Sequence, residues 1–264
     1  MKTGNDKAIL VVSFGTSHKE TYQKTIAAIE NEIQEAYADY PLYRAWTSNM
    51  IRRIVEKRDN LHVFSVTEAL EQMYKDGVNY VVVQPTHVLN GTENTIMEKD
   101  IDKMRDKFDG IAVGAPLLSA QEDIHKVTEF ITKEWHLQPD EMLVYVGHGS
   151  EHDSNVVYSA VNEKLQAQGH TNIILGTMKP SPSIAAVIEH IKNTNTRKIL
   201  LAPFMIVAGS HAVNELAGDA EDSWKSVLES EGYEVQCVLK GLGEYPIIRQ
   251  LFVEHLKKAH RSQF

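Results

Sequence analysis

The chain has 264 residues and a single cysteine, Cys237. No intramolecular disulfide can form, and neither a thiolate metal cage nor an iron–sulfur cluster can be built from one chain. Cys237 sits in the alternating apolar stretch 233–239 and reads as a small buried hydrophobe. Cationic residues are also scarce: 27 Lys and Arg face 36 Asp and Glu, for a formal net charge of −9. No run of five Lys or Arg occurs, so the phosphate contacts that drive nucleic-acid binding are missing. No apolar stretch approaches the ~20 residues that span a bilayer, so no membrane partner is expected. The opening MKTGNDKAILVVSFG lacks the shape of a secretion signal, because its apolar run covers only 8–12. The expected location is the cytoplasm. With 42% hydrophobic and 24% charged residues, the composition is that of an ordinary globular chain, long enough for one large domain or two smaller ones.

What is present is alternation. Strand-length apolar runs at 8–14, 43–46, 80–84 and 111–113 are separated by helical periodicity over 19–36, 49–58, 66–75 and 91–108. The second half repeats the style, with strands at 142–146, 173–175, 198–203 and 234–239. Helices are expected at 155–167, 183–193, 214 to about 229, and 246–260. Strands separated by helices imply parallel βαβ units, whose ligands bind beyond the carboxyl ends of the strands.

Two blocks recur in the same order. Val11 to Ser17 resembles Tyr145 to Glu151, and Val82 to Glu93 parallels Leu200 to His211. The expected fold class is therefore α/β: two similar halves with parallel sheets and flanking helices, facing each other across a cleft. The halves are read as 1–125 and 126–264, joined through 115–140, with the closing helix 246–260 free to pack back on the first half. In this alignment Phe14 takes the place of His148, and Glu93 takes the place of His211.

The candidate site follows from those loops. His148 lies in Gly147-His148-Gly149-Ser150 directly after a strand, where flanking glycines permit a tight turn and leave room for a ligand. His211 follows Ala208-Gly209-Ser210 and leads into a helix. Imidazole serves as a divalent-metal ligand or as a proton acceptor near neutral pH. Its local pattern favours reading Glu93 as a first-turn acid suited to the helix dipole, and the repeat equivalence with His211 turns it into a site candidate. His152, four residues after His148, has metal-ligand spacing without the glutamate of a metalloprotease. His87 stands between core and cleft, and Asp219, Glu221 and Asp222 read as a solvated helix face rather than a cation site. The turn from Ser13 to Ser17 lacks the spacing of a dinucleotide or P-loop fingerprint, and no Gly-x-Ser-x-Gly elbow supports Ser13 or Ser150 as a nucleophile.

These motifs resemble the anaerobic cobalt chelatases, the sirohydrochlorin cobaltochelatase family of CbiK type, related in fold to the class II chelatases and ferrochelatase. The likeness runs through LVVSFGTS at 10–17, RAWTSNMIRR at 44–53, HVLNGTE at 87–93 and GAPLLS at 114–119. It continues through GHGS at 147–150, MIVAGSHAVNELAGD at 205–219, DSWK at 222–225 and GLGEYPIIR at 241–249. The resemblance implies two α/β halves with a tetrapyrrole cleft and insertion of a divalent ion, Co2+ first, into sirohydrochlorin or its oxidised precursor form in anaerobic cobalamin biosynthesis. It also implies that His148 and His211 bind the metal and assist catalysis, with Glu93 as acidic partner. The ion is a substrate, and no prosthetic group is expected. Arg52 and Arg53 are candidates for the ring carboxylates. Some exported relatives bind haem through a histidine near the position of His87, but the opening residues show no export signal, so haem is not expected here. Homo-oligomerisation stays open. The alternatives are iron or nickel insertion into a related tetrapyrrole, as for sirohaem, and a non-catalytic metal or haem carrier.

Overall fold

The computed structural model describes residues 6–150, 155–179 and 181–263. The chain folds as two compact units. One takes the described residues up to Ser119 together with those from Gly243 onward, and the other runs from Ala120 to Leu242.

The first unit contains strands β1 (Lys7–Ser13), β2 (Leu42–Trp46), β3 (Tyr80–Pro85) and β4 (Gly110–Val113), all parallel in the order β2-β1-β3-β4. Central strands of such a sheet are covered on both faces, which is why β1 reads as an unbroken apolar run and is buried from Ala8 onward. Its helices are α1 (Lys19–Lys24), α2 (Ile26–Ala36), α3 (Asn49–Asp59), α4 (Val66–Lys75) and α5 (Thr92–Met104). On one face of the sheet, Leu70, Met73, Met97 and Ile101 from α4 and α5 pack with Leu10, Val12, Val81 and Val83. The single helix expected over 19–36 is two. It breaks at Thr25, a buried residue whose backbone leaves helical values (φ −121°, ψ −83°) while its hydroxyl bonds back to the Thr21 carbonyl at 2.6 Å.

The second unit contains α6 (Gln121–Glu134), β5 (Glu141–Gly147), α7 (Val156–Ala167), β6 (Ile173–Thr177), α8 (Ile184–Lys192), β7 (Lys198–Pro203), α9 (Trp224–Ser230) and β8 (Glu234–Cys237). Its four parallel strands run in the order β6-β5-β7-β8. Numbered within each unit, the two orders are identical: second, first, third, fourth. The sequence repeat is thus a repeat of topology. The helix expected over 214 to about 229 is instead a five-residue π turn, Ala212–Leu216, a connection through Gly218, and then α9. α6 fills most of the stretch read as a joining segment. Its Asp123 side chain accepts from the Ala120 N–H at 2.9 Å, and Ile124, Val127 and Ile131 are buried.

The closing helix α10 (Pro246–Gln263) belongs to the first unit and packs against α2, β3 and β4. Arg249 on α10 donates to Glu32 of α2 at 2.7 Å, and the buried His255 meets the Ala115 carbonyl through Nδ1 at 3.1 Å. Among the described residues, no helix is long and apolar enough to cross a membrane.

Candidate metal-handling site

β5 ends at Gly147, and the chain turns there into the loop that carries His148. Two glycines make the turn possible. A Cβ on Gly147 would lie 2.5 Å from both Cε1 and the hydroxyl of Tyr158, a buried α7 side chain. Gly149 takes φ +75°, and a Cβ there would overlap the Lys179 carbonyl. The loop is pinned from outside as well. Asn155 accepts from the Ser150 N–H at 2.8 Å and donates to the Lys179 carbonyl at 3.0 Å. The Gly149 backbone also donates to the Tyr158 hydroxyl, and burial raises the phenol pKa well above the ordinary tyrosine value despite that bond. His148 therefore stands exposed on a rigid strand tip.

His211 arrives from the next strand of the same sheet. β7 neighbours β5, and the chain beyond it reaches His211 at the start of the π turn. The turn is closed by an i to i+5 bond from the Ala217 N–H to the Ala212 carbonyl at 3.1 Å. Ala212 and Leu216 are buried, which leaves His211 and Glu215 on the exposed side.

The two imidazoles meet edge to face, with ring centroids 4.7 Å apart and planes at 74°. Two imidazoles sharing one divalent ion at a tetrahedral angle, each about 2.0–2.1 Å from it, have centroids roughly 5 Å apart. The spacing fits a shared ion. The hydrogen bonds also set the ring nitrogens. His148 Nδ1 lies 3.0 Å from the Gly149 carbonyl oxygen. A carbonyl only accepts, so Nδ1 carries the proton. His211 Nδ1 is bonded to the Glu215 carboxylate, with the same consequence. Among the described residues neither Nε2 meets a partner, and in the neutral form of each ring, with its proton on Nδ1, that nitrogen presents a lone pair. Within this unit no third His, Cys, Asp or Glu among the described residues joins them to make a three-ligand set. A divalent ion shared by only these two rings would keep open coordination positions.

Glu93 belongs to the first unit, half-buried in the first turn of α5. It holds there the topological place that His211 holds in the second. Phe14, the counterpart of His148, is an exposed aromatic after β1. His87 is packed rather than open. It is buried, its Nδ1 lies 3.2 Å from Asn94 Oδ1, and its Nε2 has no hydrogen-bond partner among the described residues. Burial depresses its pKa, against the pull of the Asn94 bond and the Glu93 charge. Asp219, Glu221 and Asp222 are solvated, on a connection rather than on a helix face, and Asp219 pairs with Lys225 at 2.9 Å. Arg52 is committed within its own unit, to Glu68 at 2.7 Å and to the Val63 carbonyl at 3.1 Å, whereas Arg53 is exposed. His152 lies outside the described residues. Tyr158, Asn155 and Glu215 were not singled out from the sequence. The His-x-x-x-Glu spacing from 211 to 215 was the available signal for the last.

A duplicated parallel α/β scaffold with paired bare imidazole nitrogens at the strand tips of one half is the build of a metal-handling protein. Comparison with known proteins narrows this. Residues 7–261 match the family described as cobalt chelatase (CbiK), and the chain belongs to that family. It is 34% identical over 254 residues to the sirohydrochlorin cobaltochelatase of Salmonella typhimurium, covering 96% of each chain. It is 30% identical over 263 residues to the sirohydrochlorin cobaltochelatase CbiKC of Nitratidesulfovibrio vulgaris, covering 96% of this chain and 90% of that one. In fold it is similar to SirB from Bacillus subtilis, solved with Fe3+, with a TM-score of 0.68 at 15% identity and 98% of both chains covered.

Proposed function

We propose that this protein inserts Co2+ into sirohydrochlorin, or into its oxidised precursor form, in anaerobic cobalamin biosynthesis, acting in the cytoplasm. The observation that carries this reading is the pair His148 and His211, 4.7 Å apart with both Nδ1 atoms tied and both Nε2 atoms bare. Metallation replaces two pyrrole N–H protons with one divalent ion, so the site must first hold an ion and then accept two protons. Two imidazoles supply both. Each Nε2 lone pair binds the ion, and once the ion passes to the ring nitrogens the same lone pair is free to take a pyrrole proton. Glu93 is assigned the acidic partner by its place in the repeat, as a ligand or proton acceptor. Imidazole and carboxylate hold a first-row ion less tenaciously than a thiolate cage would, which suits transfer.

The test is His211→Ala, assayed by the absorbance change on cobalt insertion into sirohydrochlorin. A loss of about a hundredfold or more is expected, the scale of a missing acid–base group. Activity close to that of the parent removes His211 from the mechanism. Side-by-side rates with Co2+, Fe2+ and Ni2+ test the choice of ion, because ligand type alone does not separate these metals. One equivalent of product without further turnover would make the protein a carrier instead.

A further inference from the structure

We infer that Glu215 is a positioning residue for the metal site: it holds His211 in the tautomer and orientation that aim Nε2 at the ion. The inference rests on the reading of His211 as a ligand. The Glu215 carboxylate is bonded to His211 Nδ1 across four residues of the π turn. Both side chains are about half exposed, at 46% and 51%. An exposed pair of this kind adds little to folding. The pair has a second effect that stability does not measure. A neutral imidazole carries one proton on either nitrogen, and only the bare nitrogen can ligate. An acceptor at Nδ1 therefore decides that Nε2 is the bare one.

His148 shows the same arrangement by other means. Its Nδ1 donates to the Gly149 carbonyl, an acceptor fixed in the loop. The backbone sets one ring of the pair, and Glu215 sets the other. The two supports differ in what they lend: a neutral carbonyl at His148, and a negative charge at His211. Of the two rings, His211 is the one whose Nδ1 acceptor is a replaceable side chain. The exposure of Glu215 means that its removal leaves the core untouched, so the consequences of substitution can be read at the site.

Three variants test this: Glu215→Ala, Glu215→Gln and Glu215→Asp, with His211→Ala as reference. The first measurement is the 15N spectrum of the His211 ring in the metal-free protein, which distinguishes a protonated from a bare nitrogen. The parent should show Nδ1 protonated and Nε2 bare, and Glu215→Ala should show a mixture. The second is the affinity for Co2+ alone, by competition with a chromophoric chelator. Loss of an outer partner of a metal-binding histidine typically weakens affinity about 10- to 100-fold. Glu215→Ala should fall in that range, Glu215→Asp should recover part of the loss, and Glu215→Gln should lie between Ala and parent. An unchanged 15N pattern in Glu215→Ala overturns the proposal, as does Co2+ affinity within about twofold of the parent while His211→Ala is impaired. A loss in Glu215→Gln as deep as that in His211→Ala also overturns it, by making Glu215 a direct ligand. Unchanged affinity in both Glu215→Ala and His211→Ala removes the ligand assignment itself, and the proposal with it.

Discussion

Gly147→Ala places one methyl group at the strand tip that carries His148. The new Cβ would sit 2.5 Å from Cε1 and from the hydroxyl of Tyr158. Non-bonded carbons rest at about 3.5–4.0 Å, so ring and backbone must separate by roughly 1 Å. Tyr158 cannot easily give way. It is 2% exposed, and its ring stands edge-on to Phe204, itself buried, at 6.1 Å between centroids. The strand end must therefore move. Overpacking of this kind costs about 1–3 kcal/mol. At about 2–4 °C per kcal/mol for a chain of this size, the midpoint of thermal unfolding should drop by roughly 2–12 °C. The functional cost should be larger in proportion, since His148 is the next residue and a displacement of about 1 Å at a catalytic group can cost around a hundredfold in rate. Differential scanning calorimetry and the cobalt-insertion assay read the two effects. Tyr158→Leu in the same chain should relieve part of the clash, with a coupling of at least about 0.5 kcal/mol between the two changes. A Gly147→Ala protein that melts within about 1 °C of the parent, inserts cobalt at the parental rate and shows no coupling to position 158 would refute the reasoning.

Two further outcomes concern the first unit. His87 is buried with its pKa depressed, so the folded state resists protonation that the unfolded chain accepts. Its contribution is fully present above the unfolded value of about 6.5 and is lost as pH falls toward and through the folded value; urea titrations from pH 7 to 5 should show a shallower decline in His87→Leu than in the parent. Glu30, which is buried, pairs with Arg44 and accepts from the Tyr22 hydroxyl at 3.2 Å. Glu30→Ala should cost about 2 kcal/mol by chemical denaturation, below the range for a fully buried pair because the Arg44 side chain is 40% exposed, and an unchanged midpoint would show that solvent already screens the contact.

The sequence was most legible where one physical signal dominated. The helix Val66–Lys75 and the strand Lys198–Pro203 match their expected bounds, because each is fenced by strong local chemistry. Ser65 and Glu68 form a reciprocal cap at the start of the helix, and Gly77 follows its end at positive φ. The repeated blocks were legible for a different reason: buried central strands and their exit loops tolerate few residue types, so likeness between the halves persists there. The helix Gln121–Glu134 was missed although Asp123 and the apolar spacing of Ile124, Val127 and Ile131 announced it. The break at Thr25 was not readable, because it depends on where the buried Thr25 side chain packs. The sequence placed His148 and His211 on two loops that follow strands, and the pairing of β5 with β7 in the folded sheet makes those loops neighbours. Which nitrogen each ring leaves bare was not legible, since that turns on a carbonyl and a carboxylate brought within reach only by the folded loop and the π turn.

The matching strand order of the two sheets has a further meaning for how such a protein can change. Every exit loop in one half has a counterpart in the other, and a side chain demanded at only one member of such a couple leaves its twin at liberty. Phe14, which takes in the first sheet the place that His148 takes in the second, is such a twin. A fold of two like halves can thus have one arm of its chemistry reworked by small inherited steps while the other arm stays as it was.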